Sequence, residues 1–173
     1  MNFSGSRTCS ATFLVFLMTA GTLIGAWGFQ YLGGYEPCAL CYRQRVPYYF
    51  AVPAAAVLLW VCHLLARERI VRFGLIALAL VMLISAGLGG HHAGVEWGWW
   101  QGPDACAGGA GLSTGSVLPD LDNARVVSCT EVQWRMFGLS FAGWNAVISL
   151  LAAIIAFWGA RRPASTVQTI EQS

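Results

Sequence analysis

Long uncharged stretches, rich in apolar residues, recur along this chain and are separated by shorter segments that carry the charges. Each stretch is close to the roughly 20 residues that a helix needs to cross the hydrocarbon core of a bilayer. Backbone groups in lipid must be bonded within their own segment, so stretches of this kind form helices. The pattern predicts an all-α integral membrane protein, a four-transmembrane-helix bundle with spans at 11–32, 46–66, 73–90 and 136–160.

The first apolar stretch also resembles a secretory signal peptide, because Arg7 precedes it. The apolar core of a signal peptide is usually about 7 to 15 residues long. The uncharged stretch here runs through residues 11–32 and is longer than that. We therefore expect a retained membrane span rather than a cleaved leader.

The arginines indicate which side of the membrane each connecting segment occupies. Arg7, the 67–72 turn and the 161–162 pair all fall on one side of the predicted spans. The positive-inside rule makes that side cytoplasmic. Both tails, residues 1–10 and 161–173, are then expected inside the cell.

Two connecting segments remain for the opposite side, residues 33–45 and 91–135. Arg43 and Arg45 are exceptions to the charge rule there. If the chain is bacterial, it is expected to be a multi-pass protein of the inner membrane with these two segments as periplasmic loops.

Composition narrows the class of partner. Apolar residues make up 57% of the 173 residues and charged residues only 10%, which is too apolar for an ordinary soluble domain. A net charge of +2 provides no clustered positive surface for a nucleic acid. The lipid bilayer is therefore an expected partner, and a nucleic acid is not.

The predicted topology sorts the six cysteines into three pairs. Cys38 and Cys41 fall in the first outer loop, Cys106 and Cys129 in the second, and Cys9 and Cys62 near the cytoplasmic face. Disulfides persist in the bacterial periplasm, so both outer pairs can exist as disulfides there. The pair near the cytoplasmic face is predicted to consist of inert thiols.

The Cys38-Ala-Leu-Cys41 pair is predicted to be a redox-active dithiol. A disulfide across two residues restrains the unfolded chain very little, whereas this spacing lowers thiolate pKa values. A zinc site is the alternative, but Cys106 and Cys129 are spaced too widely to repeat a zinc knuckle. For that second pair, taken alone, a structural staple across the long loop is favoured over redox chemistry.

Neighbouring residues favour a thiolate at this pair. Pro37 suits the first position of a helix, which would place Cys41 in a first turn where the helix dipole stabilises an anion. Arg45 lies four residues after Cys41, on the same helical face, although snorkelling to lipid headgroups is an alternative role. His92, at the end of the third span, is placed to donate to an acceptor or to manage a proton.

Two motifs in the outer loops are distinctive. They are Pro37-Cys38-x-Leu40-Cys41-x-x-x-Arg45 and, after Cys106, Cys129-x-Glu131-x-Gln133-Trp134-x-x-x-Gly138-Leu139. Together they resemble the DsbB family, disulfide bond formation protein B. The glycine-rich segment between Cys106 and Cys129 departs from the best-known pattern of that family.

This resemblance implies a thiol-disulfide oxidoreductase with two redox-active periplasmic loops, which reoxidises a periplasmic DsbA-like dithiol. Cys106 would form the mixed disulfide with that partner. Cys129 would then pass the electrons to Cys38, and Cys41 would contact a membrane quinone.

The resemblance also implies the cofactor of the reaction. It would be a quinone, either ubiquinone or menaquinone, bound with the help of Arg45 and His92. No metal is expected.

Three other functions are compatible with parts of the pattern. A vitamin K epoxide reductase-like enzyme also joins paired cysteines to a quinone, but the motif from Cys129 to Leu139 argues against it. A tetraspanin-like structural protein would have a disulfide-stapled outer loop, yet it does not require a Cys-x-x-Cys pair. A metal or haem carrier would use His91, His92 and the cysteines, and would be purified with bound metal.

Overall fold

Four long helices dominate the part of the chain that the structure describes, residues 3–65, 67–103 and 128–161 of a computed structural model. They are α1 (Phe3–Tyr31), α2 (Ala39–Trp60), α3 (Glu68–Glu96) and α4 (Phe141–Ala160), with a π-helical turn at Val61–Leu65 that continues α2. All four are long and apolar enough to cross a membrane. The prediction of an all-α, multi-pass membrane protein is confirmed.

The helices pack as a bundle in which α4 lies against α3 and α1, and α2 lies against the same two helices. The buried face of α4 consists largely of small residues, among them Ala152 and Ala156. Gly89 of α3 lies so close to α4 that an added methyl group would come 2.8 Å from the backbone nitrogen of Ala146. Small residues permit this approach in lipid, where helices associate by close packing rather than by the hydrophobic effect.

Both predicted outer loops are shorter than the charge pattern indicated. The first ends at Cys38, because α2 begins at Ala39, and the second begins only after Glu96. A charged side chain ends an apolar stretch, but it does not end a helix, which bonds its own backbone. Arg45 and His92 consequently lie on helices.

The fourth helix begins at Phe141, not at residue 136 as predicted. Strands β1 (Arg135–Met136) and β2 (Leu139–Ser140) pair antiparallel before it. The two residues between them, Phe137 and Gly138, have φ values of 52° and 81°. Positive φ at both positions makes a tight hairpin turn that a helix cannot include, so the uncharged stretch contains a turn as well as a helix.

The prediction that Cys9 and Cys62 are inert thiols is wrong. They form a disulfide between α1 and the π-helical turn, with Cα atoms 5.9 Å apart. The sequence placed both residues at one end of the bundle but did not indicate which faces of the helices meet. Packing of α1 against that turn brings the two side chains together.

We predict that this disulfide stabilises the bundle. The cysteines are 53 residues apart in sequence, a separation for which the chain-entropy model allows at most about 4 kcal/mol. A Cys9→Ala/Cys62→Ala double variant should therefore unfold at a lower temperature than the wild type in detergent without reductant, as measured by circular dichroism. In excess dithiothreitol the two proteins should unfold together, and a difference that persists there would assign the loss to packing instead.

Candidate active site

The Cys38–Cys41 pair forms the N-terminus of α2. Cys38 is the N-cap residue, with an extended backbone (φ −72°, ψ 172°), and its Sγ accepts a hydrogen bond from the backbone N–H of Cys41 at 3.3 Å. The two sulfurs are 2.9 Å apart and both are reduced. The helix thus begins at Ala39 rather than at Pro37 as predicted, and Cys38 occupies the position where the helix end stabilises negative charge.

The surroundings of Cys38 favour its thiolate. A hydrogen bond from the Cys41 thiol has the largest effect, and hydrogen bonds from His92 and from the Cys41 backbone act in the same direction. Against the opposing effect of burial, they lower the pKa of Cys38 to about 4. At neutral pH the charge of the reduced pair therefore lies on Cys38. The stabilisation by the helix end that the sequence indicated for Cys41 thus acts on Cys38, the capping residue, while both cysteines are reduced.

His92 lies beside the two sulfurs, and His91 does not. The side chain of His92 is buried, with its Nε2 at 3.7 Å from the Cys38 Sγ. The Cys38 sulfur, the Cys41 sulfur and a ring nitrogen of His92 all lie within 4.8 Å of one another. His91 is exposed and stacks on Trp100, with ring centroids 5.6 Å apart. Of the two adjacent histidines, His92 is the one that meets the redox pair.

A chain of hydrogen bonds between buried and half-buried side chains determines which nitrogen of His92 faces the sulfurs. The Tyr48 hydroxyl donates to Asn145 Oδ1, and Asn145 Nδ2 donates to Gln44 Oε1, each at 2.7 Å. The amide nitrogen of Gln44 then donates to His92 Nδ1. Because Nδ1 is an acceptor, the neutral imidazole carries its proton on Nε2, the nitrogen nearest Cys38.

Arg45 extends toward α1 rather than toward the headgroups. Its guanidinium donates to Gln30 Oε1 and, at 3.2 Å, to the backbone oxygen of Ala26. Its Cζ also lies 5.6 Å from the centre of the Tyr42 ring. This arrangement holds a positive charge on the wall of the same cavity that Cys41 lines.

The cavity has a volume of about 490 Å³ and is lined by residues of all four helices. Aromatic rings form part of its wall: Trp134 stacks on Phe141 with centroids 4.7 Å apart, and Phe29 meets Phe141 edge-on at 4.8 Å. Pockets of roughly 300 to 1,000 Å³ with apolar walls and a few polar groups are typical of small-molecule sites. The lining also contains polar and charged side chains, among them Cys38, Cys41, Gln44, Arg45, His92 and Glu96.

Cys129 packs against the redox pair from the segment that precedes β1. It is almost completely buried, in one cluster with Cys38, Leu40 and Val95. Cys129 is disulfide-bonded. Cys106, its predicted partner, lies outside the described residues, so that pairing stays a prediction.

Comparison with known proteins decides the family. The model of the family described as "Disulfide bond formation protein DsbB" matches residues 7–159. This chain belongs to the DsbB family.

Two relatives named "Disulfide bond formation protein B" are similar over most of their length. The one from Marinobacter nauticus is 33% identical over 151 residues, covering 82% of this chain and 85% of the relative. The one from Methylococcus capsulatus is 32% identical over 173 residues, covering 94% and 100%. No solved structure matches the chain.

Membership of the DsbB family confirms the resemblance of the two motifs and the expected role in disulfide bond formation. The protein is a thiol-disulfide oxidoreductase of that family. A vitamin K epoxide reductase-like enzyme and a tetraspanin-like structural protein are correspondingly disfavoured.

The hydrogen-bond network of this DsbB family site contains three side chains that were not predicted from the sequence, namely Gln44, Tyr48 and Asn145. Gln44 and Tyr48 follow Cys41 by three and seven residues, a spacing that repeats on one helical face. This periodicity could have placed Gln44 and Tyr48 on the same helical face as Cys41. Near a membrane surface, however, a polar or aromatic residue is ordinarily interfacial, and only the packing of α4 supplies Asn145 as a partner.

Removal of the Cys41 thiol should raise the pKa of Cys38, because the largest of its stabilising hydrogen bonds is lost. In the reduced wild type, alkylation of Cys38 by iodoacetamide should rise with pH through a midpoint near its pKa of about 4. Mass spectrometry of the Cys38 peptide would follow the reaction. Cys41→Ala should move the midpoint upward and Cys62→Ala should leave it in place. An unchanged midpoint in Cys41→Ala would assign the acidity to another group.

Proposed function

We propose that this protein reoxidises a periplasmic DsbA-like dithiol and passes the electrons through two cysteine pairs to a quinone of the bacterial inner membrane. The observation that carries the proposal is the position of Cys41. It stands at the end of a membrane-spanning helix and lines a cavity that also contains Arg45 and His92.

The proposed order of thiol exchange begins at the Cys106–Cys129 pair and ends at the Cys38–Cys41 pair. A thiolate of the soluble partner attacks Cys106 of an oxidised Cys106–Cys129 pair, which forms a mixed disulfide and releases Cys129 as a thiolate. The Cys129 thiolate attacks Cys38 of an oxidised Cys38–Cys41 pair, which forms a Cys38–Cys129 disulfide and releases Cys41. The packing of Cys129 against Cys38 supports this step, because exchange needs the attacking sulfur beside the disulfide sulfur.

The residues around Cys41 fit a quinone. A flat apolar ring matches the aromatic wall formed by Phe29, Trp134 and Phe141. The guanidinium of Arg45 and the Nε2 proton of His92 are donors for its oxygens. When bound, ubiquinone or menaquinone supplies an acceptor for two electrons and two protons. Cys41 delivers the electrons.

The arginines support the orientation that this function requires. Arg67, Arg72 and Arg161 lie at the ends of helices opposite to the Cys38–Cys41 pair. With that end in the cytoplasm, both termini are inside and the pair opens toward the periplasm. The Cys9–Cys62 disulfide then lies at the cytoplasmic end, where cellular thiols would reduce it.

Cys41→Ser should abolish quinone reduction, because serine cannot deliver the electrons of a thiolate. Protein pre-reduced with dithiothreitol and freed of it would be mixed with a short-chain ubiquinone analogue, and quinol formation would be followed by absorbance. Cys62→Ser, a cysteine change at the other end of the bundle, should retain the reaction. Turnover by Cys41→Ser would rule out the role assigned to Cys41.

Arg45→Ala should weaken binding of the quinone analogue and leave the second cysteine pair oxidised. Loss of a charged hydrogen-bond donor costs about 1.5–3 kcal/mol, so the KM for the analogue should rise about 10-fold to 100-fold. Arg43→Ala removes the same charge from an exposed side chain that does not line the cavity and serves as the matched control. Equal KM values for the two variants would argue against a contact between Arg45 and the quinone.

A further inference from the structure

Three metal-binding groups from two helices meet at the N-terminus of α2. The Sγ atoms of Cys38 and Cys41 and a ring nitrogen of His92 all lie within 4.8 Å of one another. Cys38 and His92 are buried, and Cys41 is half-buried. Thiolate and imidazole are ligands that Zn²⁺ and related divalent cations prefer. Because the nitrogen belongs to α3, the cysteine spacing alone could not indicate this set of groups.

The separations between these atoms are close to those around a tetrahedral ion. With Zn–S bonds of about 2.3 Å and Zn–N bonds of about 2.0 Å, neighbouring ligand atoms lie about 3.5 to 3.8 Å apart. His92 Nε2 is 3.7 Å from the Cys38 Sγ. The two sulfurs are 2.9 Å apart and would separate by about 1 Å. Rotation of the Cys41 side chain provides a movement of that size.

A buried carboxyl group lies next to the same imidazole. Glu96 Oε1 is 3.8 Å from His92 Nε2, and the Glu96 side chain is 6% exposed. Its Oε2 has no hydrogen-bond partner among the described residues. A buried carboxyl oxygen without a partner is costly, and a cation would supply the missing partner. Glu96 also lines the cavity to which both sulfurs belong.

Coordination by Nε2 requires the imidazole proton on Nδ1, and the hydrogen bonds behind His92 permit this. Without a metal, the Gln44 amide donates to Nδ1, so the proton is on Nε2. Half-turns of the Gln44 and Asn145 amides reverse their two hydrogen bonds, so that Gln44 Oε1 accepts from Nδ1. Tyr48 then accepts from Asn145 and donates to Ser149 Oγ, which is 2.7 Å away. Each group keeps a partner, and a metal-bound histidine ordinarily donates its second N–H to an oxygen in this way.

We propose that the reduced Cys38–Cys41 pair is a binding site for a divalent cation of the Zn²⁺ class, with His92 and Glu96 as the other ligands. The ion displaces the proton of the Cys41 thiol, and His92 keeps one proton, now on Nδ1. Oxidation of the pair to a disulfide removes both thiolates, so the ion binds the reduced state only. The guanidinium of Arg45, on the wall of the same cavity, offsets the negative charge that the ligands bring together.

Such an ion acts as a reversible inhibitor and not as a resident cofactor. Thiol exchange needs a thiolate that is available to attack a disulfide, and here both thiolates are ligands of the ion. Neither sulfur can therefore be oxidised until the ion leaves. This inhibition rests on the proposed function, whereas binding of the ion does not.

Titration with Co²⁺ tests the site directly, because its absorption bands report both thiolate ligands and tetrahedral coordination. Wild-type protein in detergent would be reduced with dithiothreitol and freed of it before the titration. We expect these bands to saturate at one Co²⁺ per chain and to disappear when Zn²⁺ is added, since Zn²⁺ binds more tightly at a tetrahedral thiolate site. Protein whose Cys38–Cys41 pair has been oxidised should show no such bands.

Matched substitutions test the sulfur and nitrogen ligands. Loss of a residue that only supports a ligand weakens metal binding about 10-fold to 100-fold, so loss of a ligand should weaken it at least about 100-fold. We expect this for Cys41→Ala and for His92→Ala. Cys62→Ala and His91→Ala make the same changes outside the set and should leave the Co²⁺ affinity as it is. Equal affinities within either matched pair would overturn the ligand assignment.

Glu96→Gln tests the carboxyl ligand, with Glu131→Gln at an exposed residue as its control. The first variant should bind Co²⁺ about 10-fold to 100-fold more weakly, and the second should bind it as the wild type does. Cys129 packs against Cys38 and is the competing fourth ligand. Bands that are lost in Cys129→Ala and retained in Glu96→Gln would overturn the role of Glu96.

X-ray absorption at the zinc edge gives the ligands without any substitution, should a variant fold poorly by circular dichroism. The reduced wild type with one equivalent of Zn²⁺ should show two sulfur neighbours at about 2.3 Å and two nitrogen or oxygen neighbours at about 2.0–2.1 Å. Three or four sulfur neighbours would overturn the proposed ligand set.

The effect of Zn²⁺ on turnover separates this inference from the proposed function. In a single turnover of pre-reduced wild type with a short-chain ubiquinone analogue, saturating Zn²⁺ should stop quinol formation, and EDTA should restore it. Glu96→Gln should need about 10-fold to 100-fold more Zn²⁺ for the same inhibition. Absence of Co²⁺ bands in the reduced wild type would overturn the metal site and leave the relay intact. Failure of metal-free wild type to reduce the analogue would overturn the proposed function, while the Co²⁺ bands would still support the metal site.

Discussion

The hydrogen bond from Gln44 to His92 is the contact on which the redox site depends. It joins α2 to α3, and the same amide accepts a hydrogen bond from Asn145 of α4. Because Gln44 and His92 are buried, loss of one partner would leave an unmatched polar group at a cost of about 1–3 kcal/mol. The Gln44 amide thus fixes the positions of three helices relative to one another. It also directs the Nε2 atom of His92 toward Cys38.

This arrangement gives the two sulfurs of the pair different surroundings. Cys38 has the helix end, the imidazole and Cys129 as neighbours, which suits exchange with another cysteine. Cys41 shares the cavity with Arg45, which suits contact with a small apolar acceptor. That asymmetry supports the proposed direction of electron flow.

Much of the architecture was predictable because it depends on contiguous residues. The absence of charge over about 20 residues identifies a span wherever the rest of the chain lies. The Cys-x-x-Cys spacing and the four-residue step to Arg45 are likewise local. Prediction was wrong where two local signals compete, as at residue 136, where an uncharged stretch contains the Phe137–Gly138 turn. The predicted start of α2 at Pro37 was also wrong, because Cys38 is the capping residue and the helix begins at Ala39.

The sequence by itself determined that this is a four-span membrane protein with a reactive dithiol at one end of its bundle, because apolar length and cysteine spacing are properties of the chain alone. Only the tertiary structure decided that Cys9 meets Cys62, that Cys38 carries the thiolate, and that Glu96 lies against His92. These depend on how each helix is rotated about its own axis. That rotation is set by small residues on neighbouring helices and by buried hydrogen bonds between them, which involve residues far apart in sequence.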